Sequence, residues 1–414
     1  MTDKGCSEMT IQVSELRQEA KEDSHDLIAR VCFKGRTRDV VFSRFSSESQ
    51  LFESEPSFDP FLILLLLPAM RVGEAIEIDG EVDDLLLYRV QTLIQDLLQD
   101  NVPNLKRVEI HAQARKRGLK QVRSHVATGF SGGVDSMHLL DAAIFRKCVP
   151  DEMRVSLLVH NGLGSVTDRG QFENNLQHTR QWAEALQVEY AGANCDVEDY
   201  YSGLSFAVSH HLRNVAAALS IAHLHESYLY CSSMDLRTSV RINQSKSLNH
   251  VEGHLLPMFN TKQNRFHSFG SEHPRIEKIS QVMANLNLAM GLNVCARPNH
   301  DNSRFINCGR CYKCFPVLLA IREFGDLKSY KEHFDLDSFQ KLYVRCMLNM
   351  FWRGSRHQGN QFVRHTFRML RHSKLHQPWW VRSLSKFVPE PLVKSDLNRL
   401  RSIAKANHVP PSET

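Results

Sequence analysis

No apolar run in this chain approaches the ~20 residues needed to cross a bilayer. The longest, Phe61 to Leu67, stops at Pro68 and reads as a core segment, so no membrane partner is expected. Nothing at the N-terminus resembles a secretion signal. Ten cysteines, four of them grouped, then point to a reducing compartment rather than a disulfide framework, and a cytoplasmic location is expected. Several signatures of function are also missing. There is no G-x-G-x-x-G dinucleotide fingerprint, no evident Ser/His/Asp triad and no paired-carboxylate pattern, so dinucleotide binding, serine-type hydrolysis and glycosidase-type acid/base work lose their usual markers. Tryptophan is scarce, and three of the four residues, Trp352, Trp379 and Trp380, fall in one C-terminal stretch.

Against these absences stands one heptapeptide, Phe130 to Ser136, F-S-G-G-V-D-S. A β-leaning stretch, His125 to Phe130, precedes it, and Met137 to Ala143 follows with good helix formers at helical apolar spacing. In a strand–turn–helix setting Gly132 and Gly133 allow a tight turn whose N–H groups converge, and the helix dipole favours an anion there. Ser131 and Ser136 offer hydroxyl donors to phosphate oxygens. Asp135 adds negative charge beside an anion, which makes sense mainly with Mg²⁺ between them. This is not the P-loop of kinases, because no G-K-[ST] follows. A plain Ser-capped glycine turn is the alternative reading.

The second constellation is Cys295, Cys308, Cys311 and Cys314, spaced C-x12-C-x2-C-x2-C. Four thiolates with two C-x2-C steps suit a tetrahedral structural Zn²⁺, and Gly309 suits the tight turn of a knuckle. An iron–sulfur cluster, a redox dithiol or buried thiols without a metal remain open on spacing alone.

The S-G-G-V-D-S loop resembles the pyrophosphate loop of the ATP pyrophosphatases, and C-G-R-C-Y-K-C late in the same region resembles the zinc site of 7-cyano-7-deazaguanine synthases. The resemblance covers about residues 124 to 325. It implies an adenine nucleotide alpha-hydrolase-like α/β fold with a doubly wound parallel sheet, and ATP, Mg²⁺ and Zn²⁺ as ligands. It further implies that a substrate oxygen attacks the α-phosphate of ATP, pyrophosphate leaves, and a nitrogen or sulfur nucleophile displaces the adenylate. Ser131, Gly132, Gly133, Val134, Asp135 and Ser136 would hold the β,γ-phosphates, and backbone groups from Leu158 to His160 would face the adenine. Lys278, or Arg275 if the register differs, would neutralise charge developing on the α-phosphate, and Asp135 would act with them. Arg213 and Asp235 occupy places comparable to polar residues of those synthases. A surface helix start with an internal Glu277–Lys278 pair explains the basic residues equally well without a ligand. His254, beside Leu255 and Leu256, reads as a packed histidine before a substrate ligand.

Three regions are expected. Residues 1–115 read as an N-terminal α+β accessory domain, with strands near 26–33, 39–42 and 107–111, a strand over 75–80 ending in an Asp79-Gly80 turn, and a helix over 82–98. Residues 120–335 are the catalytic domain, with a second strand over 155–160, a helix from Arg213 and a strand over 227–233. Residues 336–414 are a basic helical region: from 341 onward 14 Lys and Arg face 3 Asp and Glu, against +5 for the whole chain. Such a surface suits RNA, single-stranded nucleic acid or an acidic protein, or it is simply the solvated face of a packed helical subdomain.

The expected function is an ATP-dependent ligase forming C–N bonds from a small-molecule carboxylate and ammonia or an amine, with a protein acceptor and a homodimer also admitted. The alternatives are adenylation of an RNA base, with the basic tail holding tRNA, and a nucleotide-binding module without turnover.

Overall fold

A computed structural model describes residues 10–47, 55–119, 123–164, 169–240, 247–295 and 305–347. Trp352, Trp379, Trp380 and most of the basic C-terminal stretch lie outside the described residues. The chain is α/β and divides into two compact units. The first comprises Met1–Ser131, Lys147–Ser232 and Leu236–Ser271, and the second Gly132–Arg146, Ser233–Asp235 and Glu272–Thr414.

The first unit holds a ten-stranded, mostly parallel sheet. In chain order the strands are β1 (Thr10–Ala20), β2 (His25–Phe33), β3 (Arg36–Ser46), β4 (Ala75–Asp83), β5 (Ile110–Arg115), β6 (His125–Gly129), β7 (Leu157–Asn161), β8 (Glu189–Asn194), β9 (His225–Cys231) and β10 (Arg265–Phe269). Their spatial order is β10-β9-β6-β7-β8-β3-β2-β1-β4-β5. From β6 the strands β7 and β8 extend one way and β9 and β10 the other, all parallel. Strand order therefore reverses beside β6, the kind of position at which open α/β sheets bind ligands at their carboxyl edge.

The expected accessory domain, residues 1–115, contributes β1 to β5 to this same sheet. The antiparallel pairing of β3 with β8, Ser43 opposite Asn194 through Ser46 opposite Ala191, joins β1 to β5 to the parallel strands. The all-parallel pairing expected of a doubly wound sheet is thus confined to β6–β10, and the full sheet is mixed. Strand β4 also runs through Asp79-Gly80 instead of turning there. A Cβ on Gly80 would stand 2.2 Å from the Phe58 ring, so this glycine makes room for an aromatic rather than a turn. The helical segment expected over 82–98 is a helix from Asp84 to Arg89, a π-turn over Val90–Ile94 and a further helix, Gln95–Asn101, with the Asp83 carboxylate accepting from the N–H groups of Leu85 and Leu86 at its start.

The core of this unit forms around the apolar run read from the sequence. Helix Asp59–Val72 is buried from Asp59 to Met70, carries Pro60 in its first turn and closes on Gly73 at φ 84°. Pro68 lies in its interior and has no N–H for the carbonyl of Leu64, four residues back. The hydroxyl of Tyr201 donates to that oxygen at 2.6 Å. Among the described residues no helix is long and apolar enough to cross a membrane.

In the second unit, helix Val134–Leu140 packs on helix Arg275–Ala284, which also meets helix Cys314–Phe324.

Candidate functional site

Gly132 takes φ 68°, and Gly133, extended at φ −77° and ψ 169°, opens helix Val134–Leu140. Two donors hold the carbonyl of Gly133: the Met137 N–H at 2.9 Å and the Ser136 hydroxyl at 3.0 Å. Ser136 is buried, so its hydroxyl closes the first helical turn in this state; Ser131 is exposed. The Asn293 N–H donates to the Gly132 carbonyl at 2.7 Å and fixes the turn from outside.

Asp135, in the first helical turn, faces two cations of helix Arg275–Ala284. Its Oδ2 lies 3.0 Å from Arg275 Nη1 and its Oδ1 3.6 Å from Lys278 Nζ. Arg275 and Lys278 are three residues apart and so share one helix face. Lys278 is 1% exposed, and a buried charge of this kind is paired with an opposite one, here the Asp135 carboxylate. The Glu277–Lys278 surface pair entertained from the sequence does not describe it: Glu277 is buried too and holds His273, with Glu277 Oε2 3.0 Å from His273 Nδ1. One turn further along, His138 Nε2 and Gln281 Oε1 lie 2.8 Å apart. Burial, helped by the Lys278 and His273 charges, pushes the His138 pKa down to about 3, so this ring is neutral and adds no charge beside Asp135.

The four cysteines converge. The sulfurs of Cys295, Cys308, Cys311 and Cys314 all lie within 4.8 Å of one another, and all but Cys295 are buried. That spread suits one tetrahedral ion with sulfur ligands at about 2.3 Å. The Cys314 N–H also points at Cys311 Sγ, 3.3 Å away, a polar contact that favours a thiolate. Hydrogen bonding with Cys295 lowers the Cys308 pKa, whereas sharing protons with the other sulfurs raises Cys314 and Cys295. Four thiols this close cannot all ionise without a cation between them, and a metal ion such as zinc would supply it.

Gly309, in the turn between Cys308 and Cys311, sits at φ 66°, and a Cβ there would meet the Asp335 carbonyl oxygen at 2.1 Å. Next to it Asn307, fully buried, is the residue that sequence reading missed. Its side chain accepts from the Val294 N–H at 2.8 Å and donates to the Leu292 carbonyl at 2.7 Å, tying the segment that ends in Cys295 to the one that begins with Cys308. The same segment carries Asn293, which holds Gly132. Lys313, between the last two cysteines, was also overlooked. Its ammonium is lowered below the usual lysine range by desolvation first and then by Arg275, with Cys311 and Asp135 acting the other way. Its place inside C-Y-K-C was the only available signal.

Comparison with known protein families, curated proteins and solved structures finds no match.

The other expected site residues belong to the first unit or are placed otherwise. Leu158 and His160 lie on β7 with buried side chains. Leu158 is paired with Thr128 on one side and Tyr190 on the other, which commits its backbone to the sheet, while His160 and Asn161 are paired with Gly192 and Ala193 on the β8 side. His160 packs on Phe172 at 5.1 Å, and burial lowers its pKa to about 4. Arg213 donates to Glu198 at 2.7 Å and to the Leu163 carbonyl at 3.2 Å, and lies 4.1 Å from the Tyr201 ring centre, a bracing role. Asp235 is buried, and His254 is exposed on helix Glu252–Met258.

Proposed function

We propose that this chain is an ATP-dependent ligase of the ATP pyrophosphatase type, resembling 7-cyano-7-deazaguanine synthases. The observation that carries the reading is the convergence of Asp135, Arg275 and Lys278 at the start of the helix that follows S-G-G-V-D-S. In this reading the loop, Ser131 to Ser136, holds the β,γ-phosphates of ATP. A substrate carboxylate oxygen attacks the α-phosphorus, the bond to the β-phosphate oxygen breaks, and pyrophosphate leaves with the electron pair. Ammonia or an amine then attacks the acyl carbon of the mixed anhydride, AMP departs, and the nitrogen gives up its extra proton to solvent.

Arg275 and Lys278 serve as fixed positive charges for the phosphates. Because helix packing holds them before substrate arrives, they need no reorganisation when charge develops. Asp135, whose buried Oδ1 has no hydrogen bond among the described residues and so keeps lone pairs for a hard cation, would hold Mg²⁺, which would supply positive charge to the leaving phosphates. Zinc at the four cysteines would be structural. Four sulfur ligands leave no position open to a substrate.

The charge of residues 341–414 favours the RNA-modifying alternative. Product analysis separates the two. MgATP is incubated with protein and either 7-carboxy-7-deazaguanine plus ammonia or total tRNA, with Asp135→Ala and Lys278→Ala as controls. AMP and pyrophosphate that appear only with the deazaguanine acid support the ligase, and only with tRNA support RNA modification. No AMP with either, from folded protein, rejects both substrate assignments.

A further inference from the structure

We infer that Asp135 is a built-in counterion that blocks the anion cradle of Arg275 and Lys278 until a divalent cation draws its carboxylate away, so that phosphate binding is gated by that cation. The inference rests on the nucleotide reading above and concerns how the site admits its ligand.

Geometry and charge balance both support it. A pair serving only to hold two helices together would be expected to use the bidentate fork of arginine, with both carboxylate oxygens bonded. Here Oδ2 alone reaches Arg275, at 3.0 Å, while Oδ1 is buried, lies 3.6 Å from Lys278 and receives no hydrogen bond among the described residues. The carboxylate is 16% exposed, so solvent and ions can reach the pair from one side, whereas Lys278 is 1% exposed and cannot turn outward. One carboxylate also faces two cations. Two cations on one helix face suit the two or more negative charges of a phosphate.

The two anions compete for the same cations. Without a divalent cation, an incoming phosphate meets the Asp135 charge at close range and must displace it from Arg275. With one, the carboxylate and the phosphate become ligands of the same ion and repulsion turns into attraction. Asp135 would thus act twice, first excluding bare anions and then recruiting the metal complex.

The test is calorimetric binding of inorganic pyrophosphate to the full-length protein, with and without Mg²⁺, for wild type, Asp135→Asn and Lys278→Met. Asparagine keeps the shape and can still accept from Arg275, and circular dichroism checks that each variant is folded. Wild type should bind at least tenfold more tightly with Mg²⁺. Asp135→Asn should bind metal-free pyrophosphate at least tenfold more tightly than wild type does and gain little from Mg²⁺, while Lys278→Met should weaken binding in both conditions. Wild-type binding that is indifferent to Mg²⁺, or an Asp135→Asn protein as Mg²⁺-dependent as wild type, overturns the gate and leaves the nucleotide reading standing. Absence of binding by any folded form in either condition overturns both.

Discussion

The Tyr201 hydroxyl donates to the backbone carbonyl of Leu64 at 2.6 Å, satisfying the acceptor that Pro68 leaves without its helical partner. Tyr201 and Leu64 are both buried, so no solvent can take over the bond. Tyr201→Phe is expected to destabilise the protein by about 1–3 kcal/mol, the usual cost of a stranded buried polar group. Pro68→Ala restores an N–H at the same place and should recover part of that loss in the Tyr201→Phe background. Urea unfolding of the two single variants and the double variant gives the coupling; additive effects would show that the two groups do not share the Leu64 carbonyl.

Asn307 bonds both Val294 and Leu292 in the segment that leads to Cys295. Asn307→Ala strands one buried donor and one buried acceptor, so a loss of at least about 2 kcal/mol is expected, together with faster release of metal from the cysteines. Thermal unfolding and a chromogenic chelator assay check the two effects. Unchanged chelation kinetics would separate Asn307 from the metal centre.

At Gly309 both the φ of 66° and the 2.1 Å approach of the Asp335 carbonyl oppose a side chain. Gly309→Ala should prevent the turn from presenting its sulfurs to one ion. Elemental analysis should find about one zinc per wild-type chain and well under half that for the variant. Iron in place of zinc would reassign the metal without moving the site.

Four histidines give the protein a defined acid sensitivity. Burial is the first cause of the low pKa of each: about 3 for His138 and His223, and about 4 for His160 and His225. The unfolded chain binds their protons near pH 6.5 and the folded one does not, so it is the unfolded state that gains as pH falls. Their contribution is complete above about pH 6.5 and is lost progressively between there and about pH 3–4. Each can add up to about 1.4 kcal/mol per pH unit to the slope in that window. The urea midpoint should fall steadily from pH 7 to pH 4.5, and His223→Gln should flatten the slope. A midpoint that rises on acidification would contradict the assignment.

Much of the local structure was legible in the sequence. β6, the turn at Gly132-Gly133 and the helix after it follow from a β-leaning run, two glycines and helical apolar spacing. The cysteine spacing announced a metal site, and the four sulfurs do converge. Three strands escaped notice for identifiable reasons. β1 breaks its alternation at Glu15, which has φ 51° beside a register shift, β8 is short and built from small residues, and β10 is only five residues long.

The sequence alone determined which segments pair a turn with a helix and which residues carry charge or thiol, because those depend on neighbours along the chain. Only the tertiary structure decided that residues 10–115 join the parallel strands through β3 and β8, that Gly80 yields to Phe58 rather than turning, and that Lys278 is buried against Asp135. Those outcomes depend on backbone edges and side chains brought together from distant positions. The 143 positions from Asp135 to Lys278 leave no periodic trace of their meeting.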